Sequence, residues 1–188
     1  MEIDVKNIKA AYRTATESER TLLVTLFPDL HLGEEEKDNR PVTERIKTFE
    51  DACRELGEDH PMVWAYANTE DNMPDITAYM KLRIITAALN EGWQPQFTEE
   101  WRWYPWFCLW TDEELSNKSD EWKQEHALKD FGNFQGEWAG FACANSYYAP
   151  SNAAANVGSR LCYKSEALAD YSGRQFADLW ADFYLIRK

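Results

Sequence analysis

The segment Trp101–Trp110, which reads Trp-Arg-Trp-Tyr-Pro-Trp-Phe-Cys-Leu-Trp, constrains the fold more than any other part of this chain. Each large ring hides about 150–250 Å² when it is buried, so such a segment must either lie in a core or form a surface that faces a ligand. In a strand, side chains alternate between two faces, and here both faces are apolar. Pro105 removes a backbone donor from the ladder, which favours an edge strand or a bulge.

The second face of this predicted strand is the first candidate binding surface. We expect helices to cover one face, which leaves the other face available to a partner or a ligand. The rings on that available face are Tyr104, Trp106 and Trp110. We extend the surface to the loop 149–156 and to the two tyrosines before it, Tyr147 and Tyr148. Core packing, a protein contact and a stacking platform for a sugar or base all stay open for these rings.

The charge of the chain argues against nucleic acid as a partner. The 33 acidic and 20 basic side chains give a formal net charge of −13, whereas binding to a phosphate backbone depends on Lys and Arg contacts that release counterions. No apolar run approaches the roughly 18 residues that a membrane span needs, and the first residues lack the pattern of a signal peptide. The cysteines form no CxxC pair. We expect a protein of a reducing cytoplasm that binds neither nucleic acid nor membrane.

Helical periodicity comes first along the chain, and strand patterns come later. Helices are predicted over residues 5–27, 43–56 and 75–90, and a long C-terminal helix over residues 165–186. Strands are predicted at Trp101–Trp110, Trp138–Tyr148 and Val157–Tyr163, with a polar helical stretch over Asp112–Lys129. This order predicts an α+β fold in which a small antiparallel β-sheet of three to four strands from the C-terminal half is packed by helices from the N-terminal half and by the long C-terminal helix.

The same patterns predict the domain organisation. Residues 1–40 combine a helical pattern with a segment rich in Gly, Pro and acidic side chains, which predicts a helical arm followed by an acidic connector. Residues 41–188 are predicted to form a single α+β core domain. Gly173 lies inside the predicted C-terminal helix, where glycine costs about 1 kcal/mol relative to alanine. Its presence there predicts a close backbone approach.

Arg160 and Lys164 are the candidate ligands for an anion. A strand over this part of the chain would place both cations on one face, together with Cys162. An arginine presents a bidentate fork to an anion. The alternative is that both cations pair with nearby carboxylates, such as those of Glu137 or Asp178.

The sequence contains no recognisable catalytic constellation. There is no GxSxG, P-loop, GxGxxG or HExxH motif, and the three histidines lie in separate polar contexts. Cys108 and Cys162 have no histidine at a readable spacing that would activate a thiol. We therefore predict no catalytic residue, no metal site and no cofactor.

Several ordered strings carry a resemblance to a known group of proteins. They are Val42–Cys53, Ala78–Ile85, Ala88–Pro95, Tyr104–Phe107, Gly158–Ser165 and Tyr171–Phe176. In these strings the chain resembles an uncharacterised family of hypothetical proteins from phages and prophages of gut Bacteroidales bacteria. The resemblance covers residues 5–188 and implies a biological setting, without an activity or a site to transfer.

Together these observations predict a phage- or prophage-encoded accessory protein without catalysis, which acts through protein–protein contact. The expected partner is another protein or a second copy of the chain, so a homodimer is one expected form. One alternative is a protein that binds a small ligand, anionic or a nucleotide, in the conflict between phage and host. The other alternative is a component of the virion. The expected location is the cytoplasm of the bacterial host, or the virion in that last case.

Overall fold

The computed structural model describes residues 5–30, 32, 38–70, 73–96, 100–135, 138–150 and 159–186. Within these ranges, the side chains of residues 132–135, 144–150 and 159 lie outside the description. The chain divides into two compact units, Met1–Asn39 and Arg40–Lys188.

The first unit contains helices α1 (Val5–Thr14) and α2 (Glu17–Leu26) and a 3₁₀ turn at Pro28–Leu30. Thr16 separates the two helices because its backbone N–H donates to the Glu19 carboxylate at 2.7 Å, the reciprocal half of a capping box. The Arg20 guanidinium donates to the carbonyl oxygens of Tyr12 and Arg13, at 3.2 Å each, and ties α2 to the end of α1.

The helical half of the second unit is built around one central helix. The helices are α3 (Val42–Arg45), α4 (Phe49–Leu56), α5 (Pro61–Ala67) and α6 (Pro74–Leu89). Helix α6 packs against α4 and α5, and Leu82, Ile84, Ile85 and Leu89 are fully buried. A helix that is apolar around more than half of its circumference must be covered on several sides, which explains its central position.

The sheet has three antiparallel strands in the order β1-β3-β2. They are β1 (Trp101–Thr111), β2 (Lys129–Gln135) and β3 (Trp138–Pro150). Between β1 and β2 lie two short helices, α7 (Asp112–Ser116) and α8 (Asp120–Glu125). Strand β1 pairs with β3 along its whole length and lies at the edge of the sheet, as its proline predicts. The predicted α+β fold with a small antiparallel sheet is confirmed.

One strand predicted from the sequence is wrong, and one strand of the sheet was not predicted. The predicted strand Val157–Tyr163 is not a strand in its described part, because Ser159–Leu161 forms a 3₁₀ turn and Tyr163 makes an isolated bridge to Trp103. The third strand is β2, whose sequence Lys-Asp-Phe-Gly-Asn-Phe-Gln carries weak strand signals. Its pairing with β3 shows that a tertiary partner outweighs local propensity.

The predicted C-terminal helix is present as two consecutive helices, α9 (Glu166–Gln175) and α10 (Ala177–Tyr184), which meet at Phe176. Ser165 caps α9 through its side-chain oxygen, which accepts from the Leu168 N–H at 3.4 Å. Helix α10 buries Trp180 completely, and the Trp180 indole N–H donates to the Ser172 hydroxyl at 3.2 Å. These two helices complete the core that α6 begins.

The close approach predicted at Gly173 is confirmed. A Cβ atom added there would lie 2.5 Å from the Cys143 sulfur and 2.9 Å from the Pro105 Cβ. Glycine therefore lets α9 pack directly on β1 and β3, and this contact fixes which face of the sheet is covered by helices.

Candidate functional site

The structure separates the three rings predicted to form a contact surface on β1. Tyr104 is 4% exposed, and burial raises its pKa to about 12. Trp110 packs edge-on against Trp122, with ring centroids 5.1 Å apart, and the Lys118 ammonium lies 4.5 Å from the Trp110 ring centroid. Trp106 is 46% exposed. Of the three, Trp106 is therefore the one that presents a large part of its ring to solvent.

The outer edge of β1 offers few donors to a partner strand. Trp103 exchanges both of its backbone hydrogen bonds with Tyr163, at 3.0 and 2.9 Å. Because backbone groups alternate in direction along a strand, Pro105 presents its donor position to the same side, where it has no N–H. The sequence thus protects this edge against strand addition.

Part of the predicted surface lies outside the described residues. Tyr147 and Tyr148 occupy β3 opposite Tyr104 and Trp103, but their side chains are not described. Residues 151–156 of the predicted contact loop are also outside the description.

The strand that was predicted to place the two candidate anion ligands, Arg160 and Lys164, on one face does not form in the described residues. The 3₁₀ turn replaces the alternation of a strand. The Lys164 ammonium pairs with the Glu91 carboxylate at 2.9 Å. Asp178, a predicted partner of these cations, pairs instead with Lys129 at 2.9 Å. Arg160 lines a cleft, away from these pairs.

This cleft is the candidate site, with a volume of about 480 Å³. One wall is a stripe of α6, since Arg83, Thr86, Ala87 and Asn90 follow the spacing of a single helix face. Arg160 and Cys162 form the opposite wall. The remaining lining residues are Met62, Trp93, Gln94 and Pro95.

Asn90 fixes the distance between the two walls. Its side-chain amide donates to the Cys162 carbonyl at 2.8 Å, and its side-chain oxygen accepts from the Lys164 backbone N–H at 3.1 Å. Asn90 is 4% exposed, so these bonds satisfy both ends of a buried amide. They also connect the end of α6 to the backbone on either side of Tyr163, which is itself paired with Trp103.

The turn that follows α6 is strained, and it positions the end wall of the cleft. Glu91 and Gly92 both have left-handed backbone angles, with φ of 50° and 84°. Such a conformation is costly for glutamate. It is held by ion pairs from the Glu91 carboxylate to Lys164, at 2.9 Å, and to Arg45, at 2.6 Å. The Lys164 ammonium and then the Arg45 guanidinium lower the pKa of Glu91.

Trp93 is held at two points behind this turn. Its backbone N–H donates to the Asn90 carbonyl at 3.0 Å, and its indole N–H donates to the Glu100 carboxylate at 3.0 Å. The ring is half-buried and therefore presents one orientation to the cleft.

The two arginines of the cleft, Arg83 and Arg160, differ from the paired cations of this unit. Arg45, Arg54, Lys129 and Lys164 each pair with a carboxylate. Within the described residues, neither Arg83 nor Arg160 makes an ion pair or a side-chain hydrogen bond. The Arg83 guanidinium carbon lies 5.9 Å from the centroid of the Tyr79 ring. Arg83 and Arg160 thus both line one cleft of an acidic chain, and neither side chain pairs with a carboxylate among the described residues.

Cys162 is uncharged at neutral pH. Burial raises the pKa of its thiol to about 11, and the Arg102 guanidinium opposes part of that rise. Arg102 is itself 1% exposed. In the described part of the chain, no three His, Cys, Asp or Glu side chains converge as metal ligands.

Reasoning from the sequence found Arg160 but missed Arg83 and Trp93. The available signal was the spacing of Arg83, Thr86 and Asn90, which places three polar side chains on one face of α6 and its C-terminal cap. Trp93 follows a helix end, where a ring is equally typical of core packing.

Comparison with protein-family models, curated proteins and solved structures finds no match to this chain. Among the described helices, none has the length and apolar character that crossing a bilayer requires.

Proposed function

We propose that this protein binds a small anionic ligand in the cleft, with Arg83 and Arg160 as the groups that hold the anion. The observation that carries this proposal is that Arg83 and Arg160 both line one cleft and that neither has a carboxylate partner among the described residues. Hydrogen bonds to charged groups contribute about 1.5–3 kcal/mol each, and an arginine makes them as a planar fork. Ligand binding thereby takes precedence over the protein contact that the aromatic strand first indicates.

The charge of the whole chain supports a small ligand. A net charge of −13 repels polyanions over distances comparable to the Debye length, which is about 8 Å at physiological salt. A compact anion that reaches the cleft exchanges this repulsion for direct contact with two cations. We therefore expect the cleft to favour small anions over polyanions.

Isothermal titration calorimetry with inorganic pyrophosphate tests the proposal. Arg83→Gln and Arg160→Gln each remove one guanidinium and should weaken binding by about 10- to 150-fold, the equivalent of one charge-assisted bond. Arg54→Gln is the matched control, since it removes the same charge from a side chain that is 75% exposed on α4. Equal affinities in all four proteins, or no measurable binding by the parent chain, would rule the site out.

A protein contact through β1 is the second candidate function. The exposed rings of Trp101 and Trp106, 51% and 46% accessible, favour it because tryptophan is enriched among the residues that contribute most to binding at protein interfaces. The resemblance to phage proteins would set either role in the host cytoplasm, or in the virion. Mass spectrometry of purified phage particles and light scattering of the protein test these settings. Trp106→Ser should release a captured partner, and a partner retained by that variant would remove this candidate.

A further inference from the structure

We infer that the ligand of this cleft joins a phosphate to a flat ring system, as a nucleoside 5′-phosphate does, and that the ring stacks on Trp93. This inference rests on the proposed function, because it names the class of ligand that the same site takes.

The size of the cleft is the first argument. A phosphate has five heavy atoms and, at roughly 30 Å³ for each water-sized atom, fills about 150 Å³. The cleft measures about 480 Å³, within the range of about 300–1,000 Å³ that is typical of sites for organic ligands. Most of the space is therefore left for a second part of the ligand.

The side chains that line the cleft indicate the chemical class of this second part of the ligand. The Asn90 amide is bonded at both ends, to Cys162 and to Lys164, and the Thr86 hydroxyl is bonded to the Tyr163 hydroxyl at 2.9 Å. Apart from the two arginines, Gln94 is the lining residue whose side-chain polar group makes no hydrogen bond within the described residues. A sugar phosphate without a base would depend on its hydroxyls for contacts with the protein, and the lining offers these hydroxyls few partners. A flat base adds stacking on an aromatic side chain, a contact that needs no polar partner.

Trp93 supplies the surface on which such a ring would rest. Its indole is fixed by Glu100 and its backbone by Asn90, so stacking costs little further ordering. The turn that carries it holds Glu91 in a left-handed conformation under ion pairs from two sides. Strain of this kind is typical of binding sites. Stacking of a base on an aromatic side chain is equivalent to about a 5- to 150-fold change in Kd.

Four probes separate the contributions: inorganic phosphate, ribose 5-phosphate, adenosine and adenosine 5′-monophosphate. We expect adenosine 5′-monophosphate to bind about 5- to 150-fold more tightly than ribose 5-phosphate. In Trp93→Ala this advantage should disappear while binding of inorganic phosphate persists. Trp93→Phe keeps a ring and should keep most of the advantage, which guards against a variant that merely misfolds.

Saturation-transfer NMR on the unaltered protein gives a check that needs no variant. The adenine protons should receive more saturation than the ribose protons, and the reverse order would overturn the inference. Equal affinity for adenosine 5′-monophosphate and ribose 5-phosphate would also overturn it, while leaving the anion site intact. Failure of every phosphate compound to bind would instead refute the proposed function. Tighter binding of a 5′-phosphorylated decanucleotide than of the mononucleotide would contradict the ligand class.

Discussion

Replacing Gly173 by alanine tests how closely helix α9 packs on strands β1 and β3. The added methyl would lie 2.5 Å from the Cys143 sulfur and 2.9 Å from the Pro105 Cβ. The proline ring is fixed to β1 and cannot rotate away, and Cys143 is fully buried. Alanine gains about 1 kcal/mol in helix propensity, but overpacking a core costs about 1–3 kcal/mol and more where neighbours cannot move.

We therefore expect Gly173→Ala to lower the free energy of unfolding by about 1–2 kcal/mol, because both neighbours are constrained. For a chain of this length, that loss corresponds to a fall in Tm of about 2–8 °C. Urea denaturation followed by circular dichroism measures it. In a Cys143→Ala background the same substitution should cost about 1 kcal/mol less, as coupling between contacting residues predicts. A Gly173→Ala protein as stable as its parent would refute the packing.

Three further predictions concern the walls of the cleft and the core beside them. Asn90→Ala should destabilise the chain by about 1–3 kcal/mol, measured by urea denaturation, because it leaves the carbonyl of Cys162 and the N–H of Lys164 without their partner; an unchanged midpoint would contradict this role. The pKa of Glu91 is lowered from its ordinary 4.5, so its contribution to stability is present above that pH and is lost as the pH falls through the lower, folded value. Glu91→Gln should flatten this acid loss in urea titrations from pH 7 to pH 3, and identical profiles would exclude the ion pairs as its cause. Burial raises the pKa of Cys143 and Cys162 to about 11, so iodoacetamide at pH 8 should leave both unmodified in the native protein, as judged by peptide mass spectrometry, and rapid alkylation of either would contradict their burial.

The parts of the fold that follow from local patterns could be predicted from the sequence. Pro105 indicates an edge strand, and it occupies one. Gly173 inside a helix indicates a close approach, and the sheet lies directly against it. Both cases work because one residue type carries a strong physical restriction, a missing donor in the first and a missing side chain in the second.

The parts that depend on distant contacts could not be predicted. The segment around Cys162 has the alternation of a strand, but Ser159–Leu161 forms a 3₁₀ turn, and Asn90, more than seventy positions earlier, binds the Cys162 carbonyl and the Lys164 N–H. Strand β2 has weak local signals and forms because β3 pairs with it. The cleft was missed for the same reason, since Arg83 and Arg160 come from elements that only the folded chain brings together.

The position of a bound anion is the most direct test of the proposal that Arg83 and Arg160 hold an anion in the cleft. A crystal of the protein soaked in selenate and measured at the selenium absorption edge would show where the anion lies. We expect an anomalous peak within hydrogen-bond distance of the guanidiniums of both Arg83 and Arg160, and we expect the Arg160→Gln protein to lose that peak. A peak elsewhere on the chain, or a cleft empty of selenate, would contradict it.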